Sequence, residues 1–322
     1  MSNQESIQGR YDALLNRAKI LNLRSGVIEK ASYWQSKGWH VYFDYVVRHI
    51  PVSPQGKVVL DFGCGHGLLS PILLDLGAER VIGLDVIPDL AAVRTLFEGS
   101  PVDFIEPEAG YVPLQPETVD IAVMNEVISH VPIEHLPVVY NEMWRVLRHG
   151  GVLFISDGNG IHSATYEART LQPLYAALEN GPDGTTVGGP PFPVTVQRSF
   201  LNQRADLIRK WHPELKADVV DCLARNTSGL HTDFLRRTVD RFLETGELIR
   251  RPYQPGFVAT VPTTGGVEER GFYPQQVAFD LMARGFSTRT DPQGNRNTAP
   301  WSGPLLSCSF PDGNFFVVAT KP

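Results

Sequence analysis

A glycine-rich turn after a short apolar run is the part of this sequence best suited to hold a ligand. The run covers residues 58–60, Asp61 follows it, and glycines occupy positions 63, 65 and 67. Glycines let the chain turn sharply and let a ligand approach the backbone, and the helix expected next offers free N–H groups at its start. A tight turn that holds no ligand is the simplest alternative.

The spacing of the glycines argues against a dinucleotide site. The dinucleotide fingerprint is G-x-G-x-x-G, and counted from Gly63 its third glycine would fall on Leu68. Asp61 would also lie next to a bound pyrophosphate, and like charges repel in a shielded cleft. A ligand with a cationic amine would instead be attracted to this carboxylate, so the turn favours such a ligand.

Several motifs together resemble one protein family. The pattern Asp61-x-Gly63-x-Gly65-x-Gly67 resembles the first motif of the class I S-adenosylmethionine-dependent methyltransferases. Residues 125–131, NEVISHV, are similar to the run after the fourth strand of that family. Residues 142–151, EMWRVLRHGG, resemble its E-x-x-R-V-L-K-P-G-G, with His149 in place of the proline. The resemblance covers about 51–159 and 272–322.

This resemblance implies S-adenosyl-L-methionine as the cofactor. The cofactor carries an ammonium group that Asp61 would attract. Asp85 ends the apolar run 81–84, where an acid can accept hydrogen bonds from both ribose hydroxyls. Glu108 and Ala109 fall where the family has an acid that meets the adenine amino group. The predicted cofactor-binding residues are Asp61, Gly63, Cys64, Gly65, Asp85, Val86, Glu108, Ala109 and Asn125.

Candidate catalytic residues follow the predicted fourth and fifth strands. Methyl transfer requires an aligned nucleophile and, for an alcohol or a protonated amine, removal of a proton. His130 is a candidate base because an ordinary imidazole titrates near neutrality, although it could instead hold the start of its helix. Asp157 and His162 are the other catalytic candidates; Asp157 could also position substrate or cap the next segment. We predict no metal site, because the cysteines lack zinc spacing and no acidic cluster is evident.

The pattern of apolar runs predicts the fold class. Between about 51 and 159, continuous β-type runs alternate with helix-like runs, which is typical of a parallel sheet buried on both faces. Two more β-type runs lie at 286–290 and 315–320. The resemblance implies an α/β, Rossmann-like sheet of seven strands, mostly parallel with the last strand antiparallel, and a ligand crevice at the carboxyl ends of the strands.

Three units are expected along the chain. Residues 1–50 show helical spacing and are predicted to form an N-terminal helical lid. Residues 51–159 and 272–322 would form the cofactor-binding core. Residues 160–271, rich in Pro/Gly loops and amphipathic helices, would be an insertion after strand five that determines the substrate. The length of 322 residues alone would suggest two domains.

Composition limits the partners. The chain has 29 Lys and Arg against 35 Asp and Glu, a net charge of −6, which disfavours nucleic-acid binding. Three distant cysteines, the polar start and the lack of a long apolar run favour a cytoplasmic protein with free thiols and no membrane span. The prediction is methyl transfer to a small molecule, with oxygen favoured over nitrogen or carbon. The alternatives are a non-catalytic S-adenosylmethionine-binding regulator and a protein or RNA methyltransferase; the oligomeric state is left open.

Overall fold

The computed structural model contains a seven-stranded sheet as its central layer. It describes residues 3–21, 46–47, 49–87, 89–107, 111–158, 172–187, 194–254, 259–266, 272–291 and 314–322. The described strands are β1 (Val58–Phe62), β2 (Arg80–Leu84), β3 (Val102–Ile105), β4 (Val119–Asn125), β5 (Leu147–Gly158), β6 (Thr186–Val187), β7 (Val194–Thr195), β8 (Ser287–Asp291) and β9 (Asn314–Thr320). The order in the large sheet is β3-β2-β1-β4-β5-β9-β8.

The directions of the strands confirm the predicted fold class. Strand β1 pairs in parallel with β2 and β4, β2 with β3, and β4 with β5. Strand β9 lies antiparallel between β5 and β8. The strand order reverses at β1 and β4, and ligands of open α/β sheets bind beyond the carboxyl ends of the strands at such a switch point.

Helices cover both faces of this sheet. The described helices are α1 (Asn3–Ile20), α2 (Ser70–Asp75), α3 (Leu90–Leu96), α4 (Leu136–Val146), α5 (Gln172–Asn180), α6 (Phe200–Trp211), α7 (Ala217–Arg225), α8 (Thr232–Thr245) and α9 (Pro274–Met282). One hydrophobic cluster joins the sheet to α1, α2 and α3, and a second joins it to α4 and α9. Because both faces are buried, the central strands are apolar without alternation.

The N-terminal segment contributes to the core. Ala18 of α1 and the buried residues Val46 and Val47 belong to the cluster that also contains Ile72 and Leu73 of α2. Ala18, with Leu14 packed against the same cluster, thus joins α1 to the helices that cover this face of the sheet. The predicted role of residues 1–50 as a lid stays a prediction, and most of its aromatic residues lie outside the described ranges.

The segment predicted as an insertion has hydrophobic clusters of its own. Helices α6, α7 and α8 share one cluster, and α5 packs with the start of α6 in another. Arg204 of α6 is fully buried; its guanidinium lies 2.6 Å from Glu179 of α5 and donates to the carbonyl of Ala224 in α7 at 2.9 Å. One side chain therefore joins three helices, while the limits 160–271 stay a prediction.

None of the helices within the described ranges is long and apolar enough to cross a membrane. Cys64 and Cys222 are free thiols, the former buried and the latter exposed. The third cysteine, Cys308, lies outside the described residues.

Candidate functional site

The glycine-rich turn leaves β1 in a conformation that needs glycine. Gly63, Gly65 and Gly67 have φ angles of +75°, +52° and +73°. A Cβ atom on Gly63 would overlap the side chain of Val127, whose Cγ1 would lie only 2.7 Å away. A Cβ atom on Gly65 would meet nothing within 4 Å among the described atoms. The backbone at Gly65 is therefore open to a ligand, whereas Gly63 is packed against the turn after β4.

Asp85 connects this turn to the end of β2. Its Oδ2 accepts the backbone N–H of Gly65 at 2.7 Å, and its Oδ1 accepts those of Val86 and Ile87 at 2.7 Å and 3.2 Å. The N–H groups of Gly63 and Cys64 donate to the carbonyl of Leu84 at 2.8 Å and 3.1 Å. Five of the predicted cofactor residues, namely Gly63, Cys64, Gly65, Asp85 and Val86, thus lie together at the carboxyl ends of two neighbouring strands.

Asp61, in β1 two residues before this turn, has a buried carboxyl group. The residue is 2% exposed, and Oδ2 has no hydrogen-bond partner among the described residues. Burial, followed by the nearby negative charge of Asp85, raises the pKa of Asp61 to about 7. A cationic amine next to Oδ2 would supply the missing partner and favour the ionised carboxylate. The donor and charge requirements of Asp61 therefore fit the ammonium group of S-adenosylmethionine.

Cys64 is a packing residue at the base of the turn. Its side chain is buried, and a Cβ atom on Gly83 would lie 2.8 Å from its sulfur. Burial, with smaller contributions from Asp61 and Asp85, raises the pKa of the Cys64 thiol far above its ordinary value. The thiol stays protonated and is not a nucleophile.

The turn after β4 lies beside the glycine-rich turn and is held from β5. Asn125 ends β4 and is half-buried, and Glu126 has a φ of +56°, which is uncommon for a residue other than glycine. The N–H of Glu126 donates to the carbonyl of Ser156 at 2.8 Å. The predicted cofactor residue Asn125 therefore lies at the same edge of the sheet as Asp61.

Asp157 holds the same turn with its side chain. The residue is fully buried, and its Oδ2 accepts the N–H groups of Val127 and Ser129 at 3.0 Å and 3.2 Å. These bonds favour a structural role for this carboxylate over the proton transfer considered from the sequence. His130, three residues after Val127, is exposed, and its backbone N–H donates to the carbonyl of Val127 at 3.0 Å.

Three predicted site residues lie outside the described ranges: Glu108 and Ala109, predicted for the adenine, and His162, a predicted catalytic residue. No group of three or more side chains suited to a metal ion occurs among the residues that the structure describes.

Two contacts near the site were not anticipated from the sequence. His66 of the glycine-rich turn has its Nε2 3.2 Å from Oδ2 of Asp89, the residue before α3. Glu142 of α4 accepts the N–H of Val112 at 2.9 Å, and Arg145 donates to the carbonyls of Val112 and Leu114, each at 2.7 Å. A spacing of three residues places Glu142 and Arg145 on one face of α4, but no local pattern shows that the pair holds the loop before β4.

Comparisons with known proteins agree with this geometry. Residues 60–155 match the family model described as a methyltransferase domain. A ubiquinone biosynthesis O-methyltransferase of Xylella fastidiosa is 35% identical over 123 residues, which are 37% of this chain and 48% of that protein. A "probable S-adenosylmethionine-dependent methyltransferase" of Mycolicibacterium smegmatis is 32% identical over 148 residues, 46% of this chain and 56% of that protein.

A ribosomal protein L11 methyltransferase of Alteromonas mediterranea is 39% identical over 92 residues, which are 28% of this chain and 31% of that protein. The chain thus spans about half or less of the length of these curated relatives. The matched residues contain most of β1, all of β2, β3 and β4, and most of β5, and they include the glycine-rich turn, Asp85 and Asn125. The chain therefore carries a domain of the class I S-adenosylmethionine-dependent methyltransferase family, whose model matches residues 60–155, and S-adenosyl-L-methionine is the cofactor of that domain.

Proposed function

We propose that this protein transfers a methyl group from S-adenosylmethionine to a small-molecule acceptor, with oxygen as the favoured acceptor atom. The observation that carries the proposal is the buried Asp61 carboxyl, whose Oδ2 has no partner among the described residues and which precedes a turn open at Gly65. The ubiquinone biosynthesis O-methyltransferases among the relatives support oxygen, at 33% to 35% identity over part of their length.

Different residues would bind different parts of the cofactor. Asp61 binds the ammonium group, and Asp85 accepts the ribose hydroxyls with the lone pairs that its backbone hydrogen bonds leave available. Glu108 and Ala109 meet the adenine, and Asn125 borders the methionine part. When bound, S-adenosylmethionine supplies a methyl group that is electrophilic because it is attached to a positively charged sulfur.

His130 is the proposed general base for a hydroxyl acceptor. It follows the end of β4 by five residues, beyond the carboxyl end of that strand, and it is exposed. A neutral imidazole would take the hydroxyl proton as the oxygen bonds to the methyl carbon, a contribution of roughly 10²–10⁴-fold. The predicted insertion, residues 160–271, would bind the acceptor and exclude water. His162 is the next candidate for the base, whereas the backbone hydrogen bonds of Asp157 favour a structural role.

Binding and turnover experiments test the proposal in two stages. Calorimetry with S-adenosylhomocysteine, the demethylated product, should give one site per chain. The full chain is then incubated with methyl-labelled S-adenosylmethionine and a cell extract separated into small-molecule and macromolecular fractions. Label in a small molecule supports the proposal, and binding without any transfer supports the non-catalytic regulator. Label in protein or RNA supports the alternative acceptor class, to which the ribosomal protein methyltransferase among the relatives belongs.

A further inference from the structure

We infer that His66 and Asp89 form a clasp that holds the glycine-rich turn in its cofactor-binding shape, so that both are positioning residues for S-adenosylmethionine. This inference rests on the cofactor assignment above. His66 Nε2 lies 3.2 Å from Asp89 Oδ2. Because an ionised carboxylate only accepts hydrogen bonds, Nε2 is the donor.

The turn needs such a clasp because of its composition. All three glycines of residues 63–67 have positive φ. Glycine adopts positive and negative φ about equally readily, so the glycines alone do not hold the turn in this conformation. Cys64 packs inward, so His66 carries the only long polar side chain of the five residues. A side chain anchored outside the turn lowers the entropy that cofactor binding would otherwise have to remove.

The contact with His66 takes the place of a capping hydrogen bond that Asp89 could make to its own helix. It is the N-cap residue of α3, where an aspartate side chain ordinarily accepts an N–H of the first turn. Its carboxylate makes no such capping bond to the described first turn and contacts His66 instead. The Asp89 side chain therefore connects the turn after β2 to the glycine-rich turn and does not cap α3.

The position and the burial of the pair favour an effect on the cofactor. The side chains of His66 and Asp89 are 15% and 19% exposed, so solvent screens the contact less than it screens a surface pair. Asp89 follows Asp85 by four residues, and Asp85 itself accepts the N–H of Gly65. The clasp is thus a second link between the glycine-rich turn and the turn after β2.

Calorimetry with S-adenosylhomocysteine, well below the unfolding temperature, tests the clasp. We expect His66→Ala and Asp89→Ala each to raise the Kd by roughly tenfold, typical of a lost hydrogen bond to a charged group. The double variant should raise the Kd no further than either single one, because both remove the same contact. His66→Gln, which keeps an N–H donor, should recover part of the affinity. If His66→Ala does not fold, Asp89→Asn provides the comparison.

His149→Ala is the matched control. His149 is the third residue of β5, and its Nε2 lies 3.3 Å from Oε1 of Glu117 in an exposed pair. Loss of this pair should leave the Kd unchanged. Unchanged Kd values in both single alanine variants would overturn the clasp, as would additive effects in the double variant. Failure of the wild-type protein to bind S-adenosylhomocysteine would overturn the proposed function itself, and is distinguished from failure of the clasp because it needs no variant.

Discussion

The carboxylate of Asp85 accepts the backbone N–H of Gly65 at 2.7 Å, across twenty residues of chain. This bond joins the acid expected to bind the ribose to the turn expected to approach the methionine part of the cofactor. A change at either residue therefore affects both halves of the site.

Asp85→Ala should weaken the binding of S-adenosylhomocysteine by about 1–3 kcal/mol, because the ribose hydroxyls and three backbone N–H groups lose their acceptor. Calorimetry measures the change. Asp103→Ala on β3 is the control, since its half-exposed carboxylate pairs with Arg80 at the surface. Equal affinities of the Asp85 variant and the wild-type protein would contradict the assignment of Asp85.

The buried carboxyl of Asp61 predicts a specific dependence of stability on pH. Burial and Asp85 raise its pKa in the folded protein from 3.8 to about 7. Between these values the folded state keeps a proton that the unfolded state has lost, so the free energy of unfolding falls as pH rises from about 4 to 7. Relative to Asp61→Asn, the wild-type protein should lose about 3–4 kcal/mol over this range.

Urea unfolding of both proteins at several pH values measures this difference. Saturating S-adenosylhomocysteine should make the fall smaller and end it at a lower pH in the wild-type protein, because its ammonium group stabilises the ionised carboxylate and lowers the pKa of Asp61 in the folded state. A stability difference that stays constant from pH 4 to pH 7 would mean that Asp61 titrates as it does in water.

Gly63→Ala should destabilise the protein by both backbone strain and overlap with Val127. Gly99 has a φ of +82° but open space around a Cβ atom, so Gly99→Ala isolates the cost of the backbone. We expect Gly63→Ala to cost about 1–3 kcal/mol more than Gly99→Ala, the range for overpacking. Thermal unfolding of the two variants gives the comparison. Similar losses of stability would show that the turn relieves the overlap by moving away from Val127.

Asp157→Ala and His130→Gln should separate structure from catalysis. Removing the Asp157 carboxylate leaves two buried N–H groups without an acceptor, at about 1–3 kcal/mol each, so the melting temperature should fall. His130→Gln should keep the melting temperature and the affinity for S-adenosylhomocysteine, and should lower kcat once an acceptor is known. Full kcat in folded His130→Gln would assign the base elsewhere.

The apolar runs and the glycine spacing were sufficient to predict the sheet, because both are local consequences of the chain. Continuous apolar runs require burial on two faces, and β1, β2, β4 and β5 lie where those runs are. The positive φ angles of Gly63, Gly65 and Gly67 likewise follow from residue type.

The partners of the polar side chains depend on contacts between distant segments. Asp157 was a candidate base by its place after β5, yet its carboxylate binds the turn after β4, thirty residues earlier. The Glu142–Arg145 pair and the His66–Asp89 pair each reach a loop that no local pattern specifies.

The sequence alone therefore determined the fold class and indicated the family, since hydrophobic period and glycine content act over a few residues; the cofactor-binding segment that it predicts stays a prediction. Only the tertiary structure decided which acids are buried and which accept backbone N–H groups. Asp61 and Asp85 are both aspartates next to a turn, but packing buries one at 2% exposure with a pKa near 7 and leaves the other half-buried and satisfied by three N–H groups. Solvation and partner geometry set this difference, and both arise only when β1 and β2 are brought side by side.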